Sequence, residues 1–250
     1  MAGDPSSGAF RGFPREAIQF YEGLALDNSK AYWQANKPRY ETSVRAPMVA
    51  LLHELDEFGP FHIFRPYNDV RFAKNKPPYK DGIGGYGESQ GGTGFYVELS
   101  AEGLIAGSGC YSMASDQLER FRRAVDDEHR GAEIAAIVET LHGAGLTTGA
   151  ISALKTAPRG YPKDHPRIEL LRRKGLVATR TWPVAGWLHT KKAADRVRAT
   201  WVVAGAMNAW LDLHVGPSEL APEDAKATAE ITTLYERLFD LTPTLSAVAE

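Results

Sequence analysis

Arginine and lysine crowd into two short stretches of this 250-residue chain. Between Arg65 and Lys80 five Lys or Arg stand against one Asp, and between Lys155 and Lys174 seven stand against two acids. In the first stretch Arg71, Lys74, Lys76 and Lys80 surround Tyr79 within YNDVRFAKNKPPYKDGIGG. Pro77 and Pro78 fix their own backbone angles, which lowers the entropy lost when neighbouring cations close on a ligand. Arg71 alternates with apolar Val70 and Phe72, so a short strand would turn it to the opposite face. In the second stretch Lys155, Arg159 and Tyr161 lead into Asp164-His165-Pro166. Cations held in loops suit phosphate or carboxylate, and an arginine can grip either bidentately. Tyr79 or His165 would orient such a ligand or move a proton. The competing reading is plain: solvated lysines, and a histidine that holds its own turn.

Composition narrows the classes. The formal net charge is -2, so any basic site is local and a general affinity for nucleic acid is disfavoured. Cys110 is the single cysteine, which excludes an intrachain disulfide and a multi-cysteine zinc site. It reads as a buried structural residue. The seven histidines are scattered, with no H-E-x-x-H, so no metal site is expected and no cofactor is implied. No apolar run approaches the roughly 18 residues that span a bilayer, and the N-terminus lacks a signal-like apolar region, so the cytoplasm is the default location.

The elements that must position these residues follow from periodicity. Residues 1–9 are small and polar and read as disordered, with Phe10 and Phe13 as the first anchors. Helices are predicted from Pro14, from Asp27 or Asn28 as cap, and from Pro47. Phe61 to Phe64 reads as a short strand. Gly82 to Gly94 reads as a mobile loop, with a lid over the basic site as its functional version. It matches neither a phosphate loop nor a dinucleotide fingerprint. Phe95 to Leu99 and Leu104 to Ala106, joined at Gly103, read as a β-hairpin. Helices then cover Ser115 to Val125 and Ala132 to Leu141, a short one follows from Arg167, Leu176 to Trp182 alternates as a strand, and a long helix spans Ala193 to Leu213. The order predicts an α+β fold, a small mainly antiparallel sheet with a central hairpin, flanked by several helices. One domain is expected over 10–216, with a C-terminal helical extension over 217–250.

These residues also resemble a family. Phe20, Leu24, Asn28, Tyr32-Trp33 and Asn36-Lys37 come first. Asp69-Val70-Arg71-Phe72-Ala73-Lys74-Asn75-Lys76-Pro77-Pro78-Tyr79-Lys80 follows. After it come Gly94-Phe95-Tyr96-Val97-Glu98-Leu99, Leu154-Lys155, Pro158-Arg159-Gly160-Tyr161 and Asp164-His165-Pro166. Together they resemble the bacterial and fungal family called domain of unknown function 2461, over most of the chain from about Phe10 to Leu213. The resemblance implies a soluble protein, typically of a single domain. Its signature positions fall here on Arg71, Lys74, Lys76, Tyr79, Lys80, Lys155, Arg159, Tyr161 and His165. Asp81-Gly82 departs from it, since the family tends to carry threonine or asparagine and then histidine after that lysine.

The sequence therefore favours a basic pocket for a small anionic ligand, a phosphate ester or a carboxylate. Arg71, Lys76 and Lys80 would form one wall, and Lys155 and Arg159 the other. The alternatives are a nucleic-acid-binding module and a non-catalytic scaffold whose C-terminal helix meets a partner.

Overall fold

The computed structural model describes residues 9–68, 76–88 and 91–220. Arg71, Lys74 and the C-terminal helix expected beyond Asp224 lie outside the described residues. The fold is α+β. Helices α1 (Arg15–Leu26), α2 (Lys30–Arg39) and α3 (Ala46–Glu54) precede strands β1 (Phe61–Ile63), β2 (Gly82–Glu88), β3 (Gly94–Ser100) and β4 (Gly103–Cys110). Then come α4 (Ser115–Asp126), α5 (Glu128–Gly143), β5 (Thr147–Gly149), α6 (Ile168–Arg172), β6 (Leu176–Pro183), α7 (Lys192–Val203) and α8 (Gly205–His214). The strands hydrogen-bond in the order β1-β2-β3-β4-β6-β5, so the expected hairpin, β3 with β4, is central.

Contacts divide the chain into two compact units. The first holds the described residues of Met1–Ser89 together with Gly94–Ser108 and Thr179–Ala204, and the second holds the described residues of Gln90–Thr93, Gly109–Ala178 and the described residues from Gly205.

In the first unit, α1 starts after extended Pro14 and buries Ala17, Ile18, Phe20, Tyr21 and Leu24, one stripe at helical spacing. Ser29 caps α2, its Oγ accepting from the Tyr32 N–H at 3.1 Å. The cap was expected at Asp27 or Asn28; Asn28 is instead drawn to a distant backbone, described below. Between α2 and α3 the helix widens into a π-helical stretch, Tyr40–Arg45, where the Ala46 N–H reaches back to the Glu41 carbonyl. Pro38 lies inside α2 and Pro47 at the start of α3, and neither has an N–H to give to a regular ladder. The sheet is sealed by aromatic packing: fully buried Trp201 has Phe58, Phe61 and Phe95 rings within 5.2 to 5.5 Å. Burying one such ring stabilises by roughly 1.5–3 kcal/mol.

The expectation of a mobile glycine loop is overturned. Gly82–Glu88 is strand β2, paired antiparallel with β1 on one side and with β3 on the other. Its glycines answer to neighbours rather than to flexibility. A Cβ at Gly84 would stand 3.0 Å from the Tyr96 hydroxyl, and one at Gly85 2.6 Å from Leu52. Glycine in a strand marks close approach by another group, and here that group is a side chain on each face.

In the second unit, α4 buries Phe121, Ala124 and Val125, and α5 buries Ile134, Val138 and Leu141. Asp127 caps α5, accepting from the Arg130 N–H at 2.9 Å. The long helix expected over Ala193 to Leu213 is broken at Ala204 into α7 and α8.

Candidate functional site

The expected site residues divide between the units. Lys76, Tyr79 and Lys80 belong to the first, and Lys155, Arg159, Tyr161 and His165 to the second.

Tyr79 is held from three directions. Its backbone exchanges two hydrogen bonds with the Asn28 side chain: Asn28 Nδ2 donates to the Tyr79 carbonyl at 2.9 Å, and the Tyr79 N–H donates to Asn28 Oδ1 at 3.0 Å. Asn68 Nδ2 donates to the Pro77 and Tyr79 carbonyls at 2.9 and 3.1 Å. The ring stacks flat on Trp33, with centroids 4.4 Å apart and planes 7° from parallel. Tyr67 and Tyr79 form an antiparallel bridge, flanked by Asn68 N–H to Pro78 and Lys80 N–H to Pro66, both 3.0 Å. These contacts at the base of the loop are made by asparagine amides, backbone and aromatic rings. Burial, then the neighbouring Tyr67, raises the Tyr79 phenol above its ordinary pKa, so it stands as a proton donor at neutral pH.

Beside that base lies a pair of side chains within the expected strand Phe95 to Leu99. Tyr96 and Glu98 sit two apart on β3 and so on one face, and the Tyr96 hydroxyl donates to the Glu98 carboxylate. The Phe64 ring is 6.2 Å from that of Tyr96, and the Lys80 ammonium lies 5.2 Å over Phe64. A tyrosine and a glutamate at i, i+2 in Phe95-Tyr96-Val97-Glu98-Leu99, opposite Tyr86 and Gly84, was the available signal.

In the second unit His165 is fully engaged. Its Nδ1 accepts from the Arg167 N–H at 3.0 Å, which fixes the proton on Nε2, 3.2 Å from an Asp126 carboxylate oxygen. Only 9% of its side chain is exposed. The Tyr161 phenol is raised first by burial and then by Asp126, against the lowering effect of Arg122 and Arg123. Arg159 occupies the tip of a turn closed by Tyr161 N–H to Pro158 at 3.2 Å, where Gly160 takes a φ of +89°. Lys155 and Arg159 are exposed.

A third cluster was not foreseen, and it surrounds a cavity of about 730 Å³ in the first unit. Phe10 and Phe13 are buried edge to face, 5.3 Å apart, and hold the chain on either side of exposed Arg11. Phe13 N–H donates to the Leu188 carbonyl at 2.9 Å. Gly12 takes a φ of +111°, and a Cβ there would fall 2.2 Å from the His189 and Thr190 backbone, so only glycine permits this approach. His189 Nδ1 lies 2.8 Å from the Phe13 carbonyl. A carbonyl only accepts, so the proton sits on Nδ1 and Nε2 is the nitrogen left for a ligand. Lys191, Lys192 and Trp187 complete the lining, and Arg196 lies 4.5 Å over the Trp187 ring on its own account. Arg11, Lys191 and Lys192 make no ion pair among the described residues; Asp195, on the same rim, faces Arg198 at 4.0 Å.

Among the described residues no group of three or more His, Cys, Asp or Glu could hold a metal ion, and no helix is long and apolar enough to cross a membrane. A family model described as "Conserved hypothetical protein (DUF2461)" matches residues 16–210. That span contains every expected signature residue, together with Trp187, His189, Lys191 and Lys192, and leaves Arg11 just outside it. No curated protein and no solved structure matches the chain.

Proposed function

The chain belongs to the DUF2461 family, and from that footing we propose that it binds a small anionic ligand, a phosphate ester or a carboxylate, in the cavity of Arg11, His189, Lys191 and Lys192. One observation carries the reading. Three cations that make no ion pair among the described residues line a single cavity large enough for a metabolite, with Asp195 on its rim and beside a histidine whose tautomer is already set. Arg11 offers a planar fork to two oxygens, and the two lysines act as point charges. The bare Nε2 of His189 accepts a hydrogen bond from a ligand hydroxyl, or carries a proton to the anion. Trp187 presents an aromatic wall for the rest of the ligand.

Rival cations exist in both units, and the test separates them. Lys76 and Lys80, with Arg71 and Lys74 beyond the described residues, form one alternative; Lys155 and Arg159, with Tyr161 alongside, form the other. Thermal unfolding is followed while inorganic phosphate, sugar phosphates and dicarboxylates are titrated. A ligand at 100 times its Kd stabilises the folded state by about 2.7 kcal/mol. The expected result is a saturable shift lost in the Arg11→Ala, Lys192→Ala double variant and kept in Lys76→Ala, Lys80→Ala and in Lys155→Ala, Arg159→Ala. Loss in either of the latter pairs instead moves the site to that loop. Binding of oligonucleotides with a steep salt dependence, and of no small anion, would favour the nucleic-acid alternative.

A further inference from the structure

A second cavity in the first unit, of about 420 Å³, lies where α3 passes the edge strand β1. Its character is unlike that of the cationic one. The walls are Val49, Leu52, Pro60, Phe61 and Ile63, and the charge on its rim that can hold an anion is Arg45. Arg45 is exposed and makes no ion pair among the described residues, even with Asp56 on the same rim. His53 and His62 supply polar groups that can donate or accept.

Two features argue that Arg45 is more than a solvated surface residue. The first is the backbone that carries it. Arg45 ends the π-helical stretch Tyr40–Arg45, a widened turn set between Pro38 and Pro47, of a kind that recurs at functional sites. From there Val49, Leu52 and Asp56 follow at helical spacing and face the same cavity. The second is the sheet edge. β1 is the first strand in the sheet order and, among the described residues, pairs only with β2. Phe64 N–H donates to the Gly84 carbonyl at 3.0 Å, so by the alternation of an antiparallel ladder Ile63 falls in a non-hydrogen-bonded pair with Gly85. Its N–H therefore points away from β2, at the edge that borders the cavity.

The geometry points to a site for a small amphipathic carboxylate, an acid of one negative charge with an alkyl or aryl body. Arg45 grips the carboxylate bidentately, the Ile63 N–H is a second donor, and the apolar body fills the space over Leu52 and Phe61. A phosphate ester fits poorly, because one guanidinium must balance nearly two charges above an apolar floor. This site is independent of the cavity of Arg11 and His189, and each can fail without the other.

Calorimetric titration of the full chain with octanoate, phenylacetate, octanol and inorganic phosphate tests it. Octanoate or phenylacetate should bind saturably, octanol much more weakly, and phosphate should not compete. Arg45→Met should weaken the carboxylate at least about tenfold, the worth of a charge-assisted hydrogen bond. Val49→Phe, which fills the cavity and leaves Arg45 intact, should abolish binding. The Arg11→Ala, Lys192→Ala variant should bind octanoate as the wild type does. No saturable binding of either acid, equal affinity in Arg45→Met, octanol as good as octanoate, or loss in the Arg11 variant would each overturn the assignment.

Discussion

The two cation-rich stretches look alike in sequence, and their described parts are held by different groups. In the second stretch Arg167 and Arg172 are consumed by the fold. Arg167 donates to the carbonyls of Val125, Asp126 and Asp127 at 2.7, 3.0 and 3.2 Å, gripping the turn between α4 and α5. Arg172 donates to Leu154 and Lys155 at 2.6 and 2.9 Å, and Arg122 to Leu171 at 3.2 Å. In the first unit the equivalent task falls to neutral groups, the amides of Asn28 and Asn68 and the Trp33–Tyr79 stack. A loop closed by asparagine and aromatic rings needs no cation for the contacts that hold Tyr79. A loop closed by arginine has already spent its cations on backbone carbonyls. Local charge excess does not distinguish these cases, because it counts cations without saying what they face.

The sharpest way to break this contrast is Arg167→Ala. Three carbonyls lose a charged donor at once, and about 3 kcal/mol of unfolding free energy should go with them, read from urea unfolding. Arg167→Lys should recover only part, since an ammonium cannot span the same fork. A loss under about 0.5 kcal/mol would mean that Arg167 is as dispensable as an ordinary surface residue. In the first unit Asn28→Ala should cost about 1–2 kcal/mol, for two neutral hydrogen bonds to a half-buried backbone. Tryptophan fluorescence should change with it as Trp33 loses the ordered Tyr79 ring. If Asn28→Ala is silent in both readouts, the first loop is not held by amides.

Much of this architecture was legible from residue pattern. Helical stripes, the β3–β4 hairpin and the buried anchors Phe10 and Phe13 depend on local periodicity, which a sequence displays directly. Strand β2 was hidden because glycine has low strand propensity, and its fitness rests on Tyr96, Leu52 and Phe61, none of them adjacent in sequence. Asn28 reads as a helix cap by type and position, yet its side chain is taken by a backbone 51 residues away. The cavity of Arg11 and His189 brings a segment near one end of the chain to a distant turn, joined by Phe13, 176 residues before His189. Only the tightly turned Gly12 between two phenylalanines hinted at a docked segment. His165 was the opposite case, prominent in sequence as an acid–base candidate and found with both ring nitrogens engaged.

A gentler pair of predictions concerns the cations that neither loop spends. Lys76→Ala and Arg159→Ala should each leave stability within about 0.5 kcal/mol of wild type, as for surface residues without buried partners. A larger cost at Arg159 would place it with Arg167 and Arg172 as a structural arginine and would make the second stretch uniform.

The smallest effect separates the loops by what surrounds their tyrosines. Both Tyr79 and Tyr161 have phenols raised above the ordinary value of roughly 10. For a group whose folded pKa is raised, stability is fully present below the unfolded pKa and declines as pH rises from there toward the folded one. Each unit should therefore weaken in alkali above about pH 10, and Tyr79→Phe or Tyr161→Phe should remove that part of the decline. The causes differ. Burial and then one like-charged neighbour, the Tyr67 phenolate, raise Tyr79, whereas Tyr161 feels four charged side chains, Asp126 and Glu119 against Arg122 and Arg123. Salt screens charges and leaves burial alone. Difference titration at 295 nm, wild type minus each phenylalanine variant, should show the Tyr161 midpoint moving further between low and high salt than the Tyr79 midpoint. Equal movement of both would mean that fixed charge surrounds Tyr79 too, and that the first loop is closed by ions after all.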